Sequence, residues 1–126
     1  MQSIQDRSFE FAVRIVRLHD YLCTKKGAAR VIARQLLNSG TSVGANLEEA
    51  TAAQSKPDFI SKCSIAAKEA RETRYWLRLL TACKSIPTQR IAPLVQEAGE
   101  IVAIVTAIVK KAESRAPRNS PLTIQH

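Results

Sequence analysis

Cysteine, glycine, histidine and aromatic residues are all scarce in this 126-residue chain, and each shortage removes a class of protein. The three cysteines, Cys23, Cys63 and Cys83, are widely scattered and include no C-x-x-C pair. Such a set builds neither a disulfide framework nor a zinc ribbon, so the thiols are expected to be reduced, buried and cytoplasmic. Four glycines and 5% aromatics leave little material for a glycine-rich nucleotide fold or a β-sandwich. Two histidines, His19 and His126, cannot assemble a di-iron Glu-x-x-His pair or a zinc His-x-x-x-His pair, so no metal and no cofactor is expected. No window approaches the ~18 consecutive apolar residues of a membrane span, and Met1 is not followed by a basic stretch and an apolar run. Acidic residues are also short, at 11 against 19 Lys and Arg, which leaves a formal charge of +8.

What remains is a chain with 45% apolar residues arranged in helical period. Ser8 is a candidate cap, and Phe9, Ala12, Val13 and Val16 run beside a second row of Phe11, Ile15, Leu18 and Leu22, which predicts a helix over about 8–23. After the break at Gly27, the residues Ile32, Leu36, Val43, Leu47 and Ala50 predict a second helix to about Gln54. Gly40 and Gly44 lie inside it, each costing roughly 1 kcal/mol in an exposed helix, so another backbone is expected to pack closely there. Pro57 and Asp58 suit the first turn of a third helix over about 57–84, with Cys63, Ala66, Ala70, Thr73, Leu77 and Leu80 facing inward. Ile86 to Thr88 breaks the chain again, and the period resumes from Ile91 to about Lys111. Short connections force neighbouring helices to run antiparallel. The expected fold is therefore all-α, an up-down-up-down four-helix bundle over residues 1–113. Residues 114–126, rich in Ser, Arg, Pro and Asn, are expected to form a disordered basic tail.

Catalytic chemistry is hard to find. His19 and Asp20 are adjacent, point about 100° apart on a helix, and have no nucleophile that the sequence alone places beside them. The close carboxylates Glu48/Glu49 and Glu69/Glu72 lack a partner base or metal, so no enzyme is expected. Ser39, Ser42, Asn46 and Glu49 make a polar stripe on the second helix. Asn46 and Glu49 are expected to pair with the third helix, where Arg71, Arg74 and Tyr75 are the candidate partners and Glu72 a further structural polar residue, because buried polar groups must be paired.

The positive charge is concentrated in the first and third helices. Lys68, Arg71, Arg74 and Arg78 follow one another at steps of three, three and four and make one stripe, with Tyr75 beside it as a stacking ring. Together with Arg14, Arg17, Arg30 and Arg34 they form a candidate surface for RNA or DNA, although Glu69 and Glu72 dilute the stripe and the first and third helices are diagonal in a simple bundle. Between Ile101 and Val109 only Thr106 is polar, which is more apolar surface than one bundle can bury. Self-association is expected, with Ile104 and Ala107 as candidate contacts.

The stretches SFEFAVRIVRL, ARQLLNSGTSVGANLEEATAAQSKPDFISK and SIAAKEARETRYWLRLL resemble the four-helix bundle proteins encoded in intervening sequences of bacterial 23S ribosomal RNA genes. The most specific element is Gly-Thr-Ser-Val-Gly-Ala-Asn at 40–46, followed by Glu49-Ala50 and by Lys-Glu-Ala-Arg-Glu-Thr at 68–73. The chain departs from the usual pattern at Glu48, Pro57, Cys63 and Ala67. The resemblance implies a non-catalytic bundle that assembles as a ring, commonly a homopentamer. The chain is also similar to the accessory protein of diversity-generating retroelements, a basic bundle that partners a reverse transcriptase and nucleic acid. Two functions follow as expectations: a nucleic-acid or ribonucleoprotein accessory module, or an oligomeric scaffold for a protein partner whose charge serves only solubility.

Overall fold

The computed structural model describes residues 2–115, which form four α-helices: α1 Ile4–Leu22, α2 Ala28–Thr51, α3 Lys56–Ala82 and α4 Thr88–Ser114. No strand occurs among the described residues. Each helix packs on the next in sequence, α1 also meets α4, and the backbones of neither diagonal pair approach each other. This is the antiparallel four-helix arrangement expected from the short connections.

Local chemistry sets the helix ends. Ser3, not Ser8, caps α1: its hydroxyl accepts the backbone N–H of Asp6 at 3.0 Å, and Asp6 complements the positive end of the helix. Ser8 sits one turn further in, fully buried, with its hydroxyl donating to the Gln5 carbonyl at 3.0 Å. Gly27 enters α2 with φ of +78°, a conformation open to glycine, and α2 stops at Thr51, three residues before the expected end. Ser55 caps α3 by accepting from the Asp58 N–H at 3.1 Å. At the other end of α3 the N–H groups of Lys84 and Ser85 donate to the carbonyls of Thr81 and Leu80, the double closure of a Schellman turn. Lys84 takes the left-handed position, φ +55°, where glycine is usual. The helix α4 runs three residues past its expected end at Lys111, to Ser114. Beyond Arg115, the expected tail lies outside the described residues.

The core is one continuous layer. Phe11, Ile15, Leu18 and Leu22 of α1 meet Leu36, Val43 and Leu47 of α2, Leu77 and Leu80 of α3, and Ile91, Ile101 and Val105 of α4. The other apolar row of α1 faces outward, with Phe9 69% exposed. The N-terminal half of α3 contributes Cys63, Ala66, Ala67 and Ala70, small side chains that let helices approach closely. Gly40 and Gly44 serve the same end against α1: a Cβ on Gly44 would lie 3.3 Å from the Ser8 hydroxyl and 3.4 Å from the Ser8 carbonyl oxygen. Of the cysteines only Cys63 is buried; Cys23 is half-buried and Cys83 exposed, because the latter two cap helices at the ends of the bundle. Burial pushes the Cys63 thiol above its ordinary pKa and keeps it neutral.

Candidate nucleic-acid interface

Helical spacing puts Arg71, Arg74 and Arg78 on one edge of α3, and the fold turns that edge toward α4. The seam between the two helices opens into a groove of about 690 Å³, walled by Arg74, Arg78, Thr81 and Ala82 from α3 and floored by Val95, Gly99 and Ala103 of α4. Arg71 and Tyr75 extend the same wall next to Gly99 and Val102. Gly99 makes room for the wall: a Cβ there would lie 3.5 Å from Arg74 Nε, so Arg74 lies across the backbone of α4. Among the described residues, the ion pairs are Arg7 with Glu97 and with Glu100, and His19 hydrogen-bonds Asp20; none of these engages the three arginines of the groove. Three guanidiniums thus stand along a small-residue floor without a carboxylate partner among the described residues.

Tyr75 is 54% exposed and rests edge-on against Trp76, ring centroids 5.1 Å apart at 74°. The Trp76 indole N–H donates to Glu72 Oε2 at 3.2 Å. Glu72, expected as a structural polar residue, therefore steadies the aromatic pair. Glu100 borders the groove but is held from its other side, where Arg7 Nη2 donates to Glu100 Oε1 at 2.7 Å and Gln96 donates to Oε2 at 3.1 Å. These bonds hold the Glu100 carboxyl below its usual range. Arg7 also binds Glu97 with two donors, at 3.0 and 2.8 Å, and its own pKa is raised by both carboxylates. Glu69 moves the other way, upward, because it loses water and faces Glu72.

The other basic residues do not join this row. Arg30 and Arg34 flank a separate hollow near the start of α2 with Gly27, Val31 and Gln35. Arg14 lines the α1/α4 side with Arg7, Glu10 and Glu97, and Arg17 and Lys68 are exposed. The seven arginines and one lysine expected as one surface are divided among different faces, as the diagonal placement of α1 and α3 requires.

Asn46 donates to the Ser42 carbonyl of its own helix at 2.9 Å, and Glu49 is exposed, so the expected bonds from these residues to α3 are not made. The buried polar link between α2 and α3 is instead Ser39 with Thr73, whose hydroxyl oxygens are 2.9 Å apart. Both residues belong to the polar stripe and the inward row; Asn46 shares the face of Ser39 but lies two turns further along α2, at another level of the bundle. Of the expected assembly contacts, Ile104 is half-buried and Ala107 exposed. The helix that carries them, α4, is long and apolar enough by length and composition to cross a membrane, although its inner row is core.

A further constellation escaped the sequence. Cys23 Sγ lies 3.4 Å from His19 Nε2, and Asp20 Oδ1 lies 3.1 Å from His19 Nδ1. The i, i+4 spacing of His19 and Cys23 was the available signal. The three sit at the C-terminal end of α1, and the Asp20 side chain is 73% exposed. Among the described residues no group of three such side chains, this one included, is arranged to hold a metal ion.

A family model described as 23S rRNA-intervening sequence protein matches residues 2–107. A solved structure, a protein of unknown function from the S23 ribosomal protein family of Bacteroides thetaiotaomicron, is 42% identical, with a TM-score of 0.79. The match covers 86% of this chain and 99% of that one. Among curated proteins none matches.

Proposed function

The chain belongs to the 23S rRNA-intervening sequence protein family, and from that premise we propose that it is a non-catalytic, self-assembling bundle that binds RNA or DNA as an accessory module in the cytoplasm. The observation that carries this reading is the row of Arg71, Arg74 and Arg78 along the α3/α4 groove, unpaired with acid among the described residues and next to an exposed tyrosine. Three guanidiniums along one edge suit successive phosphates of a backbone, whereas a solvated surface gains from interspersed carboxylates. Assembly into a ring, a homopentamer on the earlier resemblance, repeats the row around the oligomer and joins it to the separate basic faces at Arg14, Arg17, Arg30, Arg34 and Lys68. Repetition turns a modest patch into a multivalent one.

Electrophoretic mobility at about 50 mM salt tests the reading, because phosphate contacts are least screened there. Binding should weaken steeply with salt, and replacing Arg71, Arg74 and Arg78 by Gln should flatten the slope of log affinity against log salt while the oligomer persists. No shift of single- or double-stranded nucleic acid would replace this reading with the scaffold, in which the groove and the apolar outer face of α4 receive a protein partner.

A further inference from the structure

We infer that the α3/α4 groove takes a single strand of nucleic acid in preference to a duplex, with one base stacked on the Tyr75 ring. The inference rests on the proposed nucleic-acid function and specifies its ligand. Two features of the groove select the form of the ligand. First, Tyr75 forms part of the same wall as Arg71, Arg74 and Arg78. A phosphate-only site has no use for an aromatic ring at that place, whereas single-strand binders pair a cationic track with aromatic platforms. Second, the ring is held: Trp76 meets it edge-on, and the indole is anchored by its bond to Glu72. An exposed aromatic fixed by its neighbours loses little rotamer freedom when a base settles on it, so less of the stacking energy is spent on ordering.

The geometry of the wall agrees with this ligand. From Arg71 to Arg78 the helix rises about 10 Å. That length spans a few nucleotides of an extended strand, with Tyr75 between the outer arginines. A duplex keeps its bases paired and stacked inside, out of reach of Tyr75, and would meet only the guanidiniums. A floor of Gly99, Val102 and Ala103 leaves space beside the ring for a flat base, and Arg74 over Gly99 offers a second planar group for stacking.

The sole tryptophan of the chain, Trp76, is in contact with the proposed platform and reports on it directly. The full-length oligomer is titrated at about 50 mM salt with a 12-nucleotide oligouridine and with a 12-base-pair RNA duplex. Fluorescence of Trp76 is followed together with the anisotropy of a labelled strand. Tighter binding of the single strand, with a change in Trp76 emission that the duplex does not produce, is the expected result. Tyr75→Ala should weaken the single strand about tenfold and leave the duplex unchanged, and Tyr75→Phe, which keeps the ring, should bind as the parent does. Equal or tighter duplex binding, or equal loss of both ligands in Tyr75→Ala, overturns the stacking inference while nucleic-acid binding itself stands. Absence of binding to either ligand overturns both and gives the groove to a protein.

Discussion

Ile15 fills the space that a side chain at position 40 would need: a Cβ on Gly40 would stand 2.8 Å from Ile15 Cγ2 and 2.9 Å from Cγ1. The contact brings α1 and α2 together at the level of the core. Gly40→Leu is expected to destabilise the protein by ~1–3 kcal/mol or more, because the larger side chain must push α1 away or force Ile15 off its rotamer. Gly44→Leu should do the same against the Ser8 backbone, which cannot rotate aside. Denaturant titration of both variants is the check, and unchanged midpoints would show that the helices do not meet there.

Ser39 and Thr73 offer a second test, on the α2/α3 seam. Either Ser39→Ala or Thr73→Val leaves one buried hydroxyl with a reduced set of partners, at an expected cost of about 1–3 kcal/mol. The double variant should cost less than the sum, because no hydroxyl is then stranded. A coupling energy of zero would mean that the two oxygens do not bond in solution.

The same pair shows what a single sequence can disclose. Period and breaks identified four helices and their order, because an apolar row at steps of three and four is a property of one helix. The pairing of Ser39 with Thr73, in place of Asn46 and Glu49 with α3, depends on how two helices are shifted along and rotated about their axes, which the period of one helix does not carry. Ser8 misled for a related reason: it precedes an apolar run as a cap would, but its small size serves the contact with Gly44 in the neighbouring helix. Ser3 with Asp6 three residues later was the true cap signature. The arginine row was legible from spacing, but its α4 wall was not, since Gly99 gains its meaning only from Arg74 lying across it.

Acid should loosen the α1/α4 contact. The folded pKa of Glu100 lies below its ordinary value of 4.5, chiefly through its bond from Arg7. Its ionised form therefore contributes stability above about pH 4.5, and that contribution is lost as pH falls through the lower folded value. Arg7→Met should be less stable at pH 7 and show a shallower acid limb. Identical acid limbs for the two proteins would mean the contact adds nothing to the fold.

Glu69 has the opposite sign. Its folded pKa is raised, first by burial and then by Glu72, so any stability it contributes is present below about pH 4.5 and lost as pH rises through the folded value. Glu69→Gln is expected to raise stability at pH 7 by about 0.5 kcal/mol or less, with the difference shrinking in acid. Thermal melts at pH 7 and pH 4 compare the two, and a variant less stable at pH 7 would contradict the assignment.

Under the proposed assembly, sedimentation at micromolar concentration should give a discrete oligomer, and Ala107→Arg should reduce it to a monomer. Ala107 is exposed in the subunit, so the variant should keep its helical content. A wild-type monomer would end the ring, and an intact oligomer in Ala107→Arg would move the contact to another part of the molecule.

The bundle also has a weak edge. Broad seams join α1 to α2, α2 to α3 and α3 to α4, whereas α1 meets α4 over the narrowest of the four, fastened by Arg7 to Glu97 and Glu100. Fluctuations open a fold where the fewest packed contacts are lost, so α1 is expected to open first, swinging from the turn that leads into Gly27. Its amide protons should exchange with solvent ahead of those in α2 and α3. The groove is lined by α3 and α4 alone, so its walls stay in place while α1 opens and closes, and the one part of the proposed binding surface that this motion reaches is Glu100, which loses Arg7 as α1 swings away.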